Sequence, residues 1–266
     1  MTFALKSCFF FDNEVVMLGT GIGGYASYPA TSVSANIEVN PIIYPVEPTN
    51  IHTTVNQCNL KGDVTAEDEN GNRIVVSGEQ TFDNLKWLSH DKICYYFPEK
   101  DSVTVRVSNQ SGNWARINDN LPNTALSKPV FLTYFDHGAT TNLFNDSYEY
   151  YVLPGRSSID EGKAALDEIL TVNNYTLQCV YNVTLDMLQA VFYYAGTLTV
   201  EGVSITTNQP CILMVTNLTG GEGSKLSVCD PTCTLSSSTV VVGNNAVNVN
   251  FPYSYVERGQ SVSFNL

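Results

Sequence analysis

Lys6–Ile22, KSCFFFDNEVVMLGTGI, is the stretch on which the fold turns. Cys8-Phe9-Phe10-Phe11 is too short an apolar run for a helix and is rich in strand-forming aromatics. Asp12-Asn13 supplies a turn, because both side chains bond nearby backbone and tolerate left-handed φ. Glu14–Leu18 then resumes with β-branched Val15 and Val16 before Gly19 ends it. Two such apolar arms predict a hairpin buried on both faces, in the middle of a sheet sandwich.

The rest of the composition agrees with an all-β chain. Its 266 residues can bury one large core or two smaller ones, and the 15 Tyr and 12 Phe favour strands. With 13 Lys and Arg against 26 Asp and Glu, the formal charge is −13, and the cations are not clustered. Counterion release on a phosphate backbone needs clustered cations, so nucleic acid is excluded as a partner, and so is an anionic membrane surface. Residues 1–7 carry one Lys and no apolar core of a signal peptide, and no run is long enough to span a membrane as a helix. The seven cysteines, at 8, 58, 94, 179, 211, 229 and 233, are widely and irregularly spaced, unlike a small disulfide scaffold. Mostly reduced, buried thiols are expected, with Cys8, Cys94 and Cys211 inside apolar strand patterns.

Further strands are expected at Ala35–Val39, Ile42–Tyr44, Ile51–Cys58, Gly62–Glu67, Leu85–Leu88, Ile93–Phe97, Ser102–Val107, Trp114–Ile117, Val130–Phe135 and Tyr148–Leu153. Asn70-Gly71 is a two-residue hairpin signal, and His90-Asp91 marks another turn. Ile159–Leu170 is the one helix expected, with Ser157-Ser158 as cap candidates. From Asn174 the β pattern returns in shorter pieces, through Ala246–Phe251. The organisation expected is a β domain over 1–172, a short connecting helix near its end, and a second β domain over 173–266.

Several motifs invite chemistry. Gly19-Thr20-Gly21-Ile22-Gly23-Gly24 satisfies G-x-G-x-x-G, but YASYPATS follows where a dinucleotide site needs a helix, so a simple glycine turn is expected. Cys229 and Cys233 lack a second Cys/His pair for zinc, and Asp230-Pro231 reads as a turn. Asp136-His137 pairs a base with an orienter on paper. Neighbours in a strand point to opposite sides, however, and no nucleophile elbow is present, so His137 is read as a turn residue. Asp63, Glu67, Asp68 and Glu69 lack the alternating spacing of a calcium loop and read as a solvated acidic turn. Sequons at Asn109, Asn145, Asn174, Asn182 and Asn217 are about as many as composition alone produces. No catalytic residue, cofactor or metal is assigned. Trp87, Trp114 and the Tyr148-Tyr150-Tyr151 cluster remain as candidates for stacking on sugar rings, against the plainer alternative of core packing.

An ordered series of short motifs resembles the C-terminal β-sheet part of polysaccharide lyase family 8, the hyaluronate, chondroitin AC and xanthan lyases. After Lys6–Ile22 come TTVNQ at 53–57, WLSHD at 87–91, YYF at 95–97, GNWARIN at 112–118, DHG at 136–138 and YEYYVLPG at 148–155. NYTLQCV at 174–180, AVFYYAG at 190–196, PCILMV at 210–215 and VCDPT at 228–232 complete it. The resemblance covers nearly the whole chain. Cys8 stands where the family usually has Trp, and Cys179 where a small residue is usual.

What the resemblance implies is a partial antiparallel super-sandwich followed by a smaller C-terminal β-sandwich. It also implies an extracellular setting and β-elimination on uronate-containing polysaccharides. In the family an Asn neutralises the C5 carboxylate, while a Tyr with a His removes the C5 proton. Those residues and an Arg lie on an N-terminal α/α-toroid that has no counterpart in these residues, so none is carried over. The expectation is a lyase β portion that engages acidic polysaccharide only together with a catalytic α/α domain. The alternative is a free-standing carbohydrate-binding or scaffolding β-sandwich. Missing first strands would also leave a sheet edge open to association.

Overall fold

The computed structural model describes residues 2–24, 50–99, 102–139, 144–220 and 223–266. The strands expected at Ala35–Val39 and Ile42–Tyr44 lie outside them. The first part of the chain contains β1 (Thr2–Phe10), β2 (Val15–Gly24), β3 (Asn50–Asn59), β4 (Thr65–Asp68), β5 (Arg73–Val75), β6 (Gly78–Phe82), β7 (Leu85–His90), β8 (Ile93–Tyr96), β9 (Val103–Gly112), β10 (Leu126–Ala139) and β11 (Asp146–Pro154). Helix α1 (Ile159–Ala165) follows. After it come β12 (Ile169–Asn173), β13 (Leu177–Asn182), β14 (Met187–Phe192), β15 (Gly196–Val200), β16 (Val203–Thr207), β17 (Cys211–Thr216), β18 (Lys225–Cys229), β19 (Ser237–Val242), β20 (Asn245–Asn250) and β21 (Val262–Asn265).

These elements fall into two compact units, Met1–Leu5 with Gly21–Ala164, and Lys6–Thr20 with Ala165–Leu266. The first part of the chain forms a seven-stranded sheet, β1-β2-β11-β8-β7-β4-β5, of which residues 6–10 and 15–20 are counted with the second unit, and a four-stranded sheet of the first unit, β3-β10-β9-β6. Strand β10 forms the spine of the second sheet, pairing antiparallel with β3 on one side and β9 on the other. Its Phe131, Thr133 and Phe135 are buried, and the residues between them are half-buried. Phe135 stacks on Tyr148 at 5.6 Å and meets Phe97 edge-on at 5.9 Å, geometries that aromatic rings favour beyond simple burial. The second unit pairs a six-stranded sheet, β12-β13-β14-β17-β18-β21, with a four-stranded one, β15-β16-β19-β20. Its core interleaves Leu188, Ala190 and Phe192 of β14 with Leu213, Val215, Leu226, Ile205 and Val240.

Several expectations change. The hairpin forms with its turn at Asp12-Asn13, but β1 is an edge strand rather than a buried central one. Its residues alternate, so Phe9 is buried while Phe10 is 67% exposed and Cys8 is exposed too. The glycines of the G-x-G-x-x-G match do not make a turn. They continue β2, whose Leu18–Gly24 part is buried throughout, and Gly21 (φ 62°) alone adopts left-handed backbone. The helix stops at Ala165, and Ile169–Asn173 pairs with β13 instead. Ile169, Thr171 and Val172 are β-branched, and sheet pairing outweighs the helical spacing read across Leu166–Leu170. Ser158 still caps α1, its hydroxyl accepting from the Glu161 amide at 3.2 Å. Trp114–Arg116 is a 3-10 turn rather than a strand, begun by the Asn113 side chain, which accepts from Arg116 N at 3.1 Å. The β7–β8 turn sits at Asp91-Lys92, both left-handed (φ 45° and 65°), as a two-residue hairpin demands. None of the helices among the described residues is long and apolar enough to cross a membrane.

Candidate functional site

The best-organised polar constellation of the first unit joins three strands. Near the end of β10 the chain bulges: the register slips between Asp136 and Ala139, and Gly138 takes φ 73°. Asp136 and His137 therefore turn to different surroundings. The Asp136 carboxylate accepts from Asn50 Nδ2 at 2.9 Å and from the Gly138 amide at 2.9 Å, and His52 lies 3.5 Å away. Burial pushes its pKa up, but these donors outweigh burial and hold it below the ordinary Asp value.

His137 is a strand residue, not the turn residue expected, and its side chain is only 4% exposed. Its Nδ1 lies 2.7 Å from Asp146 Oδ2 at the start of β11, and its Nε2 lies 2.9 Å from Thr53 Oγ1 on β3. Both ring nitrogens are therefore engaged, one by the Asp146 carboxylate and the other by the Thr53 hydroxyl. Asp146, Asn145, His137, Ala139, Ile51, Ile22 and Gly23 line a cavity of about 230 Å³. The order carboxylate–imidazole–hydroxyl is that of a nucleophilic triad. Thr53 is buried, however, at 5% exposure, in the middle of a paired strand opposite Phe135. Among the described residues no turn or helix N-terminus there aims free amides at a developing oxyanion. The trio is a strut that ties β10 and β11 to β3. The spacing His137-x8-Asp146 was visible in the sequence, but the third member, 84 residues earlier, was not.

The remaining candidates are dispersed. Trp87 is 6% exposed, packed on Tyr96 with ring centroids 4.7 Å apart, so it is core and cannot meet a sugar. Tyr148, Tyr150 and Tyr151 are likewise buried. Trp114 is 52% exposed on its 3-10 turn, with Arg116 in the same turn. The acidic turn is not merely solvated. Glu67 is buried between Lys163 of α1 and Arg73 of β5, and Arg73 also clasps Asp160. Burial raises the Glu67 pKa, but the two cations prevail and hold it below the ordinary Glu value. Asp68 instead organises the β4–β5 turn, its carboxylate accepting from the Asn70 and Asn72 amides at 2.8 and 2.9 Å.

Asp230 makes the turn expected of it, accepting from the amides of Thr232, Thr234 and Leu235, each at 2.8 Å. Among the described residues no group of three His, Cys, Asp or Glu stands close enough to hold a metal, and all seven thiols are free. Of the sequons, Asn182 is fully buried, whereas Asn109, Asn145 and Asn174 are exposed.

Two features of the second unit escaped the sequence. One is a cavity of about 560 Å³ beside Lys6–Phe9, floored by Val191, Ile212 and Met214 of the six-stranded sheet; it holds no acid–base pair. The other is Glu14 in the hairpin, fully buried, with Oε1 accepting from Asn182 Nδ2 at 3.0 Å and Oε2 without a partner among the described residues. Burial, and then the nearby Asp167 carboxylate, push its pKa up to about 7, and the Asn182 amide only partly offsets them.

Antiparallel sheets packed as two compact β units define the class of fold, and the family models give it a name. Residues 2–163 match the super-sandwich domain of polysaccharide lyase family 8, and residues 170–239 match that family's C-terminal β-sandwich domain. The chain belongs to polysaccharide lyase family 8. It is 35% identical over 260 residues to chondroitinase-AC of Pedobacter heparinus, covering 94% of this chain and 33% of that protein. It is 30% identical over 233 residues to xanthan lyase of a Bacillus species, covering 86% of this chain and 23% of the relative. A solved chondroitinase AC lyase superimposes with a TM-score of 0.82 at 31% identity, over 99% of this chain and 36% of that one. The chain thus spans about a third or less of the length of these relatives.

Proposed function

We propose that this chain is the β-sheet portion of a lyase that cleaves uronate-containing polysaccharides by β-elimination, with the catalytic groups supplied by an α/α domain outside these residues. The observation that carries this is the run of both family domains, in order, along a chain matching only 33% of chondroitinase-AC. Elimination needs a base at C5, an acid at the leaving oxygen and a clamp on the carboxylate, all on one sugar. His137, 4% exposed and held between Asp146 and buried Thr53, is not assigned as that base. The chain on its own is inactive. Within the whole enzyme these sheets support the cleft, and Trp114 stacks on sugar with Arg116 beside it to meet a carboxylate. The enzyme acts outside the cell, and neither nucleic acid nor membrane is its partner.

The test is absorbance of unsaturated uronate on hyaluronan, chondroitin and xanthan, comparing the purified chain with the product of the complete reading frame. Activity of the longer product alone supports the proposal, and robust elimination by the chain overturns its inactivity. The half-exposed Trp114 also favours a second reading, a free-standing carbohydrate-binding or scaffolding β protein. Sequencing the transcript upstream of Met1 separates the two: an in-frame helical region supports the lyase, and a stop codon supports the scaffold. The edge strand β1, with Phe10 outward, is the surface through which copies associate in that case, and a monomer in light scattering removes it.

A further inference from the structure

Two tyrosines at one end of the second unit serve neither its core nor the surfaces discussed above. Tyr175 lies in the turn between β12 and β13, and Tyr194 in the turn between β14 and β15. They are 47% and 51% exposed, although the neighbouring Leu177 and Phe192 are buried in the core. Their rings stack with centroids 6.1 Å apart and planes 25° from parallel. Both rings are thus about half open to solvent and lie side by side at one end of the unit.

The turns that carry them are fixed from beneath. Asn174 Oδ1 accepts from the Thr176 amide at 2.9 Å, the Thr176 hydroxyl at 2.7 Å and the Leu177 amide at 3.0 Å. The Tyr193 amide donates to the Thr176 carbonyl at 3.0 Å, which ties one turn to the other. The Tyr193 hydroxyl in turn donates to Gln178 Oε1 at 2.8 Å. Rings held in this way lose little freedom on binding, which is the main cost that a weak ligand must overcome. The turn residues that carry the rings, 174–176 and 193–195, include no Asp, Glu, Lys or Arg, so the platform itself is uncharged.

A flat, rigid, neutral aromatic surface rimmed by hydroxyls matches the C–H face of a pyranose ring, whose own hydroxyls project at the edge. It does not suit a carboxylate or a sulfate, which calls for a cation. We propose that Tyr175 and Tyr194 form a sugar-stacking platform that holds one pyranose face of a polysaccharide chain. The ligand class rests on the polysaccharide reading above. A single platform binds one sugar weakly, and repeated units along a polymer raise the effective affinity. Because the contact is uncharged, salt does not weaken it. For an acidic polymer, salt strengthens it by screening the repulsion from a chain of formal charge −13.

Affinity electrophoresis of the 266-residue chain through gels containing hyaluronan, chondroitin or xanthan tests the platform. The expected result is retardation that persists at high salt and weakens about tenfold or more in Tyr175→Ala and Tyr194→Ala. Tyr175→Phe and Tyr194→Phe keep most of it, and Tyr255→Ala, removing a 92% exposed ring elsewhere, changes nothing. If an alanine variant misfolds by circular dichroism, shifts of the Tyr175 and Tyr194 ring signals on adding hyaluronan oligosaccharides to the labelled wild-type chain give the same answer. Retardation unchanged in both alanine variants, or absent for the wild type in every gel, overturns the platform. An active full-length lyase whose β portion binds no polymer sinks the platform alone; a chain that binds through these tyrosines beside an inactive full-length product sinks the lyase reading alone.

Discussion

Replacing Glu14 by Gln should stabilise the protein, and more so as the pH rises. In the unfolded chain Glu14 titrates near 4.5, and in the fold burial and Asp167 push it up to about 7. Between those values the unfolded state gives up its proton while the folded state keeps it, so folding is progressively penalised as pH rises. The penalty is absent below 4.5 and complete above about 7, the mirror image of a salt-bridged carboxylate. A gap of about 2.5 pH units at roughly 1.4 kcal/mol per unit amounts to about 3 kcal/mol at pH 8, but under about 1 kcal/mol at pH 5. Gln removes the titration, keeps an oxygen for Asn182 Nδ2, and brings an amide that can donate to Asp167. Thermal unfolding of wild type and Glu14→Gln at both pH values is the assay. The variant should melt about 6–10 °C higher at pH 8 and nearly level with wild type at pH 5. Asp167→Asn should reproduce part of the gain. A difference independent of pH, or a variant less stable at pH 8, would show that Glu14 is not a buried, penalised carboxylate.

Glu67→Gln should act in the opposite sense, costing about 2 kcal/mol at neutral pH by leaving Arg73 and Lys163 short of their shared counter-charge. Because the Glu67 pKa is lowered, its contribution is present above 4.5 and is lost as pH falls through the folded value, so the two proteins should converge in acid melts. His137→Ala should lower the urea midpoint, at a cost of about 2 kcal/mol, because the buried Thr53 hydroxyl loses its partner. Thiol titration at pH 8 should find Cys8 and Cys233 fastest, since both are exposed. Burial pushes Cys94 and Cys211 up to about 11 and Cys179 to about 12, so these three should react only on unfolding.

The strands were legible where local signals are strong. SVTVRV at 102–107 alternates, Asn70-Gly71 turns, and the Val130–Phe135 run is rich in strand-forming β-branched and aromatic residues, with Phe131, Thr133 and Phe135 on the buried face. The errors cluster where a partner distant in sequence decides. Ile169–Asn173 has enough helical spacing to mislead, and only β13 shows that it is an edge strand. Trp87 and Trp114 look alike as isolated aromatics. One packs against Tyr96 and the other rides a turn into solvent, a difference that no window of sequence contains. The Tyr175–Tyr194 pair was overlooked because its members are 19 residues apart and meet only when β12–β13 and β14–β15 bring their turns together.

By itself, then, the sequence determined the strand periodicity, the turn positions that glycine and Asx residues impose, and the ordered motifs that carry the family. These are local, since they depend on backbone sterics and on which side of a pleat a residue falls. Tertiary structure alone decided that β1 lies at an edge, that Glu14 is sealed from water beside another carboxylate, and that His137 is spent on two hydrogen bonds. Burial and partnership are properties of what packs around a residue, and in a sheet protein most of those neighbours come from far along the chain.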